Sequence, residues 1–167
     1  MPHILSPNAI NSARRDLRQP MGATTRILDS TLASADIVEN AALESARWAG
    51  FFGTALEKIG LAIHEIVINA IIHGNGLKSQ KKVFTTIART RKQLTITVSD
   101  HGDGFDLDRL PDPRSSEALL KRSGRGIYLA RAFMDELHVQ SCAGVGTTVT
   151  LVKYISREYM RISTASM

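Results

Sequence analysis

The chain has 167 residues, 43% of them hydrophobic, a length and composition that suit one compact domain with its own core. Its one cysteine, Cys142, excludes an internal disulfide and a cysteine-built metal cluster, so zinc is not expected and a reducing compartment is. A net charge of +5 fits an anionic ligand or an acidic partner, whereas 5% aromatic content argues against a base-stacking surface, so no direct nucleic-acid contact is expected.

No run approaches the roughly 18 apolar residues of a membrane span, and Met1 to Gln19 lacks the apolar middle of a signal peptide. A soluble, cytoplasmic protein with no membrane partner is the expectation. Residues 1–20, with three prolines and Arg14, Arg15 and Arg18, read as a basic flexible leader, and residues 21–160 as a single domain. Arg26 to Leu32 alternates weakly and predicts an edge strand. Ser34, Asp36 and Glu39 look like the start of a helix that runs until Gly53, after which Thr54 caps a second helix with Glu57 in the capping-box position.

The second helix carries the most informative stretch, Glu65 to Gly76. Glu65, Asn69 and His73 are spaced four apart, so a carboxylate, a carboxamide and an imidazole project from one side of an apolar rod. On a wheel of about 100° per residue, Leu56, Ile59, Ile63, Ile66, Val67, Ala70 and Ile71 lie opposite and form the core seam. The polar stripe therefore faces a second environment, and Leu61, Ile68 and Ile72 beside it suggest a pocket wall. His73 has a second reading, as a cation near the helix's last carbonyls. Asn75-Gly76 is expected to stop the helix.

Beyond a basic turn at Lys78 to Lys82, Val83 to Arg89 and Leu94 to Ser99 read as antiparallel strands, with Leu94, Ile96 and Val98 on one face. Asp100 ends the second of these, in DHGDG, where Gly102 and Gly104 permit positive φ and close backbone approach. Asp106 to Arg122 holds Pro111 and Pro113 with little periodicity and reads as a long functional loop. Gly124 and Gly126 flank Arg125 ahead of a helix, leaving N–H groups at its positive end, with Lys121 and Arg122 nearby, which suits a phosphate. Glu136 to Ser141 and Thr147 to Tyr154 predict a final hairpin around Ala143 to Gly146.

The ordered set of Glu65, Asn69 and His73 on a helix, DHGDG after a strand, SGRG before a helix and Gly146-Thr147-Thr148 opening a last strand resembles the ATP-binding boxes of the GHKL superfamily, also called the Bergerat fold. The stretch from Gly124 to Tyr154 and the chain's length most resemble the anti-sigma-factor serine/threonine kinases of bacterial partner switching. The resemblance covers roughly residues 26–155. It implies an α/β two-layer sandwich, a mixed, mainly antiparallel sheet covered on one face by helices. It also implies ATP and Mg²⁺ as cofactors, with Asn69 on the metal and Glu65 as base for an attacking hydroxyl. By the same resemblance Asp100 accepts from the adenine amine, His73, Gly102, Gly104, Gly124, Arg125 and Gly126 line the nucleotide, and Thr148 makes a second adenine contact, unless it is an ordinary strand threonine. Implied partners are an anti-anti-sigma protein of the STAS fold, a sigma factor and a second copy of the chain in a homodimer. Two other readings stand beside this one: a free-standing histidine-kinase-like ATPase domain, although only about 25 residues precede the first strand, and a nucleotide-dependent sequestering module without kinase activity.

Overall fold

In the structure, a computed structural model, residues 21–104 and 125–156 are described. The expected leader, the loop from Asp106 to Arg122 and Gly124 lie outside them. The elements in chain order are β1 (Gly22–Asp29), α1 (Leu32–Trp48), α2 (Gly53–Asn69) prolonged by a π turn (Ala70–Gly74), β2 (Lys82–Arg89), β3 (Gln93–Ser99), α3 (Arg125–Phe133), β4 (Glu136–Cys142) and β5 (Gly146–Tyr154). The sheet order is β1-β2-β3-β5-β4. Every pairing is antiparallel, so the mixed sheet of the sequence reading is antiparallel throughout the described strands.

Strand alternation sets the two layers. Val83, Ile87, Leu94, Ile96, Val98, Val149 and Leu151 are buried on the face that meets the helices. The register stacks Ile87, Ile96 and Leu151 side by side, which gives the helices a continuous apolar floor. On that floor lie Val38, Ala42 and Ala46 of α1, and Ile59, Ile63, Ile66 and Val67 of α2, all at most 1% exposed. The seam deduced from periodicity is thus the buried one, with Leu56 half-covered at its margin. The other face of the sheet bears hydroxyls that pair across strands, Thr97 with Thr150 at 3.3 Å and Ser99 with Thr148 at 2.8 Å.

Helix limits differ from expectation where tertiary contacts set them. α1 begins at Leu32 rather than Ser34, because the Ser34 hydroxyl donates back to the Asp29 carbonyl at 2.7 Å and closes the turn out of β1. It ends near Gly50 rather than Gly53: Gly50, at φ 91, donates to Arg47 O and Phe51 N donates to Ala46 O, a Schellman ending that drives Phe51 into the core. α2 then starts at Gly53 with no side-chain cap, so Thr54 sits inside its first turn and does not cap it. Among the described strands β1 is an exposed edge strand paired only with β2.

Candidate functional site

Polar groups converge where α2 ends, β3 ends and β5 begins. After Asn69 the backbone widens into a π turn, in which Asn75 N donates to Ala70 O at 2.7 Å. Asn75 is more than a stop signal. It is 1% exposed, its Nδ2 donates to Lys82 O at 2.9 Å, and its Oδ1 accepts from His101 N at 3.1 Å. One side chain therefore fixes the end of α2 to the start of β2 and to the turn after β3. The sequence signal for this role was only a polar residue next to a glycine, which also describes an ordinary helix terminus.

Asp100 lies at the centre of the junction and is 6% exposed. Its N–H donates to Thr147 O at 2.9 Å, and its Oδ1 accepts from Gly102 N at 2.9 Å and Thr147 N at 3.3 Å. Among the described residues both side-chain bonds fall on Oδ1, which leaves Oδ2 to an outside donor. Burial pushes the carboxyl pKa up, and the backbone donors of Gly102 and Thr147, with the nearby His101 and Lys81 charges, hold it back.

Glycines make this proximity possible. A Cβ on Gly74 would stand 2.3 Å from Asp100 Cγ, one on Gly102 would stand 2.1 Å from Gly74 O, and one on Gly146, at φ 128, would stand 2.1 Å from Asp100 O. The three backbones can touch only because no side chain intervenes. Gly104, at φ 72, comes similarly close to Cys142 O. Gly126, buried in the first turn of α3, would place a Cβ 2.6 Å from Glu65 Oε2 and 3.0 Å from Asn69 Nδ2. α3 thus brings the positive end of its dipole against the two residues of the polar stripe.

The structure places Glu65 and Asn69 one turn apart, half-buried, beside Gly126. His73 falls in the π turn and is exposed. Arg125 is the first residue of α3. Of the two threonines opening β5, Thr147 is 6% exposed and its backbone N–H donates to Asp100 Oδ1, whereas the Thr148 hydroxyl lies on the other face of the sheet against Ser99 Oγ. The Thr147 contact is a backbone one, which the residue type does not announce, while its hydroxyl pairs with Ser141 Oγ at 3.1 Å. A cavity of about 730 Å³ lined by Ser99, Asp100, His101, Ser141, Thr147 and Thr148, among others, opens on the strand side of the carboxylate. Its walls include no residue of α2, so it is one flank of the junction and does not reach the Glu65–Asn69 pair.

A family model described as the histidine kinase-like ATPase domain matches residues 28–153. The anti-sigma F factor of Bacillus thuringiensis (strain Al Hakam) is 36% identical to this chain over 103 residues, which are 60% of this chain and 70% of that protein. The anti-sigma F factor of Bacillus anthracis (strain CDC 684 / NRRL 3495) matches to the same extent. Among solved structures, the RsbU and RsbW domains of a Mycobacterium tuberculosis protein superpose with a TM-score of 0.60 at 25% identity, covering 84% of this chain and 34% of that one. The present chain therefore spans about a third of that larger protein.

Proposed function

This chain belongs to the family of histidine kinase-like ATPase domains, in its anti-sigma-factor branch, and on that premise we propose that it is an ATP-dependent serine/threonine protein kinase that acts as an anti-sigma factor and phosphorylates an anti-anti-sigma antagonist of the STAS type. The carrying observation is the buried Asp100 carboxylate, held by Gly102 N and Thr147 N on one oxygen and closely approached by the Gly74 backbone. A desolvated acceptor with an unengaged oxygen is suited to an exocyclic amine.

The residues present fit both ATP and Mg²⁺. Gly74, Gly102 and Gly146 let their backbones close around Asp100 at the adenine end, and Gly126 lets the start of α3 pack directly against Glu65 and Asn69. Asp100 would accept from the adenine amine, with the Thr147 backbone N–H steadying its Oδ1 and Thr148 in the same cavity wall as the second adenine contact. As in the resemblance, Gly124, Arg125 and Gly126 would serve the phosphates, Gly102 and Gly104 would allow close backbone approach, and His73 would line the nucleotide. Asn69 offers a hard amide oxygen to Mg²⁺. ATP, when bound, supplies the γ-phosphoryl group. Glu65, one turn from Asn69, takes the proton from the partner's hydroxyl. The sigma factor and the antagonist compete for the kinase, which is expected to work as a homodimer.

Incubation with labelled ATP and a STAS-type partner tests the reading. An acid-stable phosphoprotein is expected, because phosphoserine and phosphothreonine survive acid. Acid-labile label would instead indicate histidine phosphorylation, and nucleotide-dependent partner binding without any transfer would indicate a sequestering module.

A further inference from the structure

Away from the junction, on the seam between α1 and α2, three metal-ligating side chains meet: Asp36 and Glu39 of α1 and His64 of α2. Each offers one ligand atom, and these atoms lie within 4.8 Å of one another. His64 Nδ1 is already 2.8 Å from Glu39 Oε2. The convergence has a packing cause. Gly60 lies one turn before His64, where a Cβ would stand 3.3 Å from Glu39 Oε1 and 3.1 Å from Leu43 Cδ2, so the absent side chain lets the helices close up.

Asp36 and Glu39 stand three apart on one helical face, an arrangement in which like charges repel. Among the described residues no lysine or arginine pairs with either carboxylate, and the one ion-pair partner is His64. A carboxylate pair with one imidazole and no cationic side chain suits a divalent transition metal, since carboxylate oxygen and imidazole nitrogen are both zinc ligands at about 2.0 to 2.2 Å. Neighbouring ligand atoms on such an ion lie about 3 to 3.5 Å apart, within reach of rotamer changes from the observed spacing. The trio is open enough for a hydrated ion to enter: Asp36 is exposed, and the side chains of His64 and Glu39 are 36% and 29% exposed. The cysteine count, which argued against zinc, bears only on sulfur-built clusters.

We infer that Asp36, Glu39 and His64 form a binding site for a divalent metal of the zinc class, which ties α1 to α2. Three protein ligands leave a position for water. The ion therefore clamps the two helices one residue away from Glu65, without entering the nucleotide junction. This inference does not depend on the kinase reading.

The test is calorimetric titration of the full chain with Zn²⁺, alongside Co²⁺ as a coloured reporter of ligand geometry. The parent should bind one Zn²⁺ at this site, with a visible Co²⁺ band, and should melt at a higher temperature when loaded. Asp36→Asn, Glu39→Gln and His64→Gln should each weaken binding by at least about tenfold and abolish the band. Cys142→Ser should change neither. Asp36 is exposed, so Asp36→Asn should keep the metal-free melting temperature and remain informative if the half-buried variants fold poorly. Absence of Zn²⁺ uptake by the parent would overturn the site. So would parental affinity in Asp36→Asn, or loss of binding in Cys142→Ser.

Discussion

α2 serves two environments, and its two ends are built by different rules. From Ile59 to Val67 its inner side is a dry seam in which Ile59, Ile63, Ile66 and Val67 press on the sheet, and any well-packed apolar set of the right volume satisfies such a surface. From Asn69 onward the helix loosens into a π turn and meets buried polar groups, Asn75 and Asp100, whose partners come from β2, the turn after β3, and β5. There, individual atoms decide the structure: a single added carbon would collide with backbone at 2.1 Å. The seam holds the fold through summed area, and the junction holds a geometry through specific contacts.

Glycine substitutions should break this comparison most sharply. Gly146→Ala puts a Cβ into Asp100 O at a φ of 128, so strain and overpacking together should cost about 2 to 5 kcal/mol, read as a fall in the denaturant midpoint. Gly22→Ala, with nothing within 4 Å of the new carbon, should stay within about 0.5 kcal/mol of the parent. Equal effects would mean that the junction is no tighter than the edge strand.

Next in size is the loss of the base. Glu65→Gln keeps the side-chain volume and should lower phosphoryl transfer by about 10²- to 10⁴-fold while nucleotide and partner affinities hold. Transfer and partner affinity should be measured on one preparation. Normal transfer rules Glu65 out as the base, and joint loss of transfer and ATP binding would make it a structural wall beside Gly126.

Asp100→Asn should set function against stability. Losing a charged acceptor lowers ATP affinity by about ten- to a hundred-fold, which calorimetry reads. The nucleotide-free fold should gain, because the amide can still accept from Gly102 N and Thr147 N but no longer buries a charge. The sign follows from the shift: a carboxyl whose pKa is raised by burial makes the folded state less stable once pH has risen through that raised value. The variant's advantage should therefore be largest near neutral pH and shrink as acid protonates Asp100 in the parent. An advantage independent of pH would remove desolvation as its cause.

Much of this fold was legible in the sequence, and for physical reasons. The seam of α2, the strands around Thr90 to Gln93 and the last hairpin announce themselves through periods of 3.6 and 2, because solvent and core lie on opposite sides of each element. The aspartate-glycine turn was legible as a motif. The exits of α1 and α2 were less so: Gly50 and Gly53 are equally plausible stops until Phe51 is seen entering the core, and the π turn depends on Asn75 finding Lys82 O and His101 N far along the chain. The Thr147 contact to Asp100 was not legible because a backbone N–H makes it, and side-chain patterning carries no signal for that. Asp36, Glu39 and His64 were invisible as a group, since their meeting depends on the tertiary approach allowed at Gly60.

The smallest expected effect lies under the helices, where the sheet breaks its own rule. Thr85 is 1% exposed between Val83 and Ile87 on the helix-facing side, opposite Val98, and its hydroxyl has no hydrogen-bond partner among the described residues. A buried unpaired hydroxyl costs about 1 to 3 kcal/mol of desolvation, part of which is recovered when a methyl replaces it. Thr85→Val keeps the branched shape and the strand preference, so the fold should gain about 1 kcal/mol, or roughly 2 to 4 °C in melting temperature. Thr97→Val is the matching control, because Thr97 lies on the opposite face and shares a 3.3 Å contact with the Thr150 hydroxyl. It gains nothing from desolvation and loses that contact, so it should be neutral or slightly destabilising. A loss of stability in Thr85→Val as large as that in Thr97→Val would show that the Thr85 hydroxyl is satisfied in solution, and that the floor beneath α2 is polar at that point.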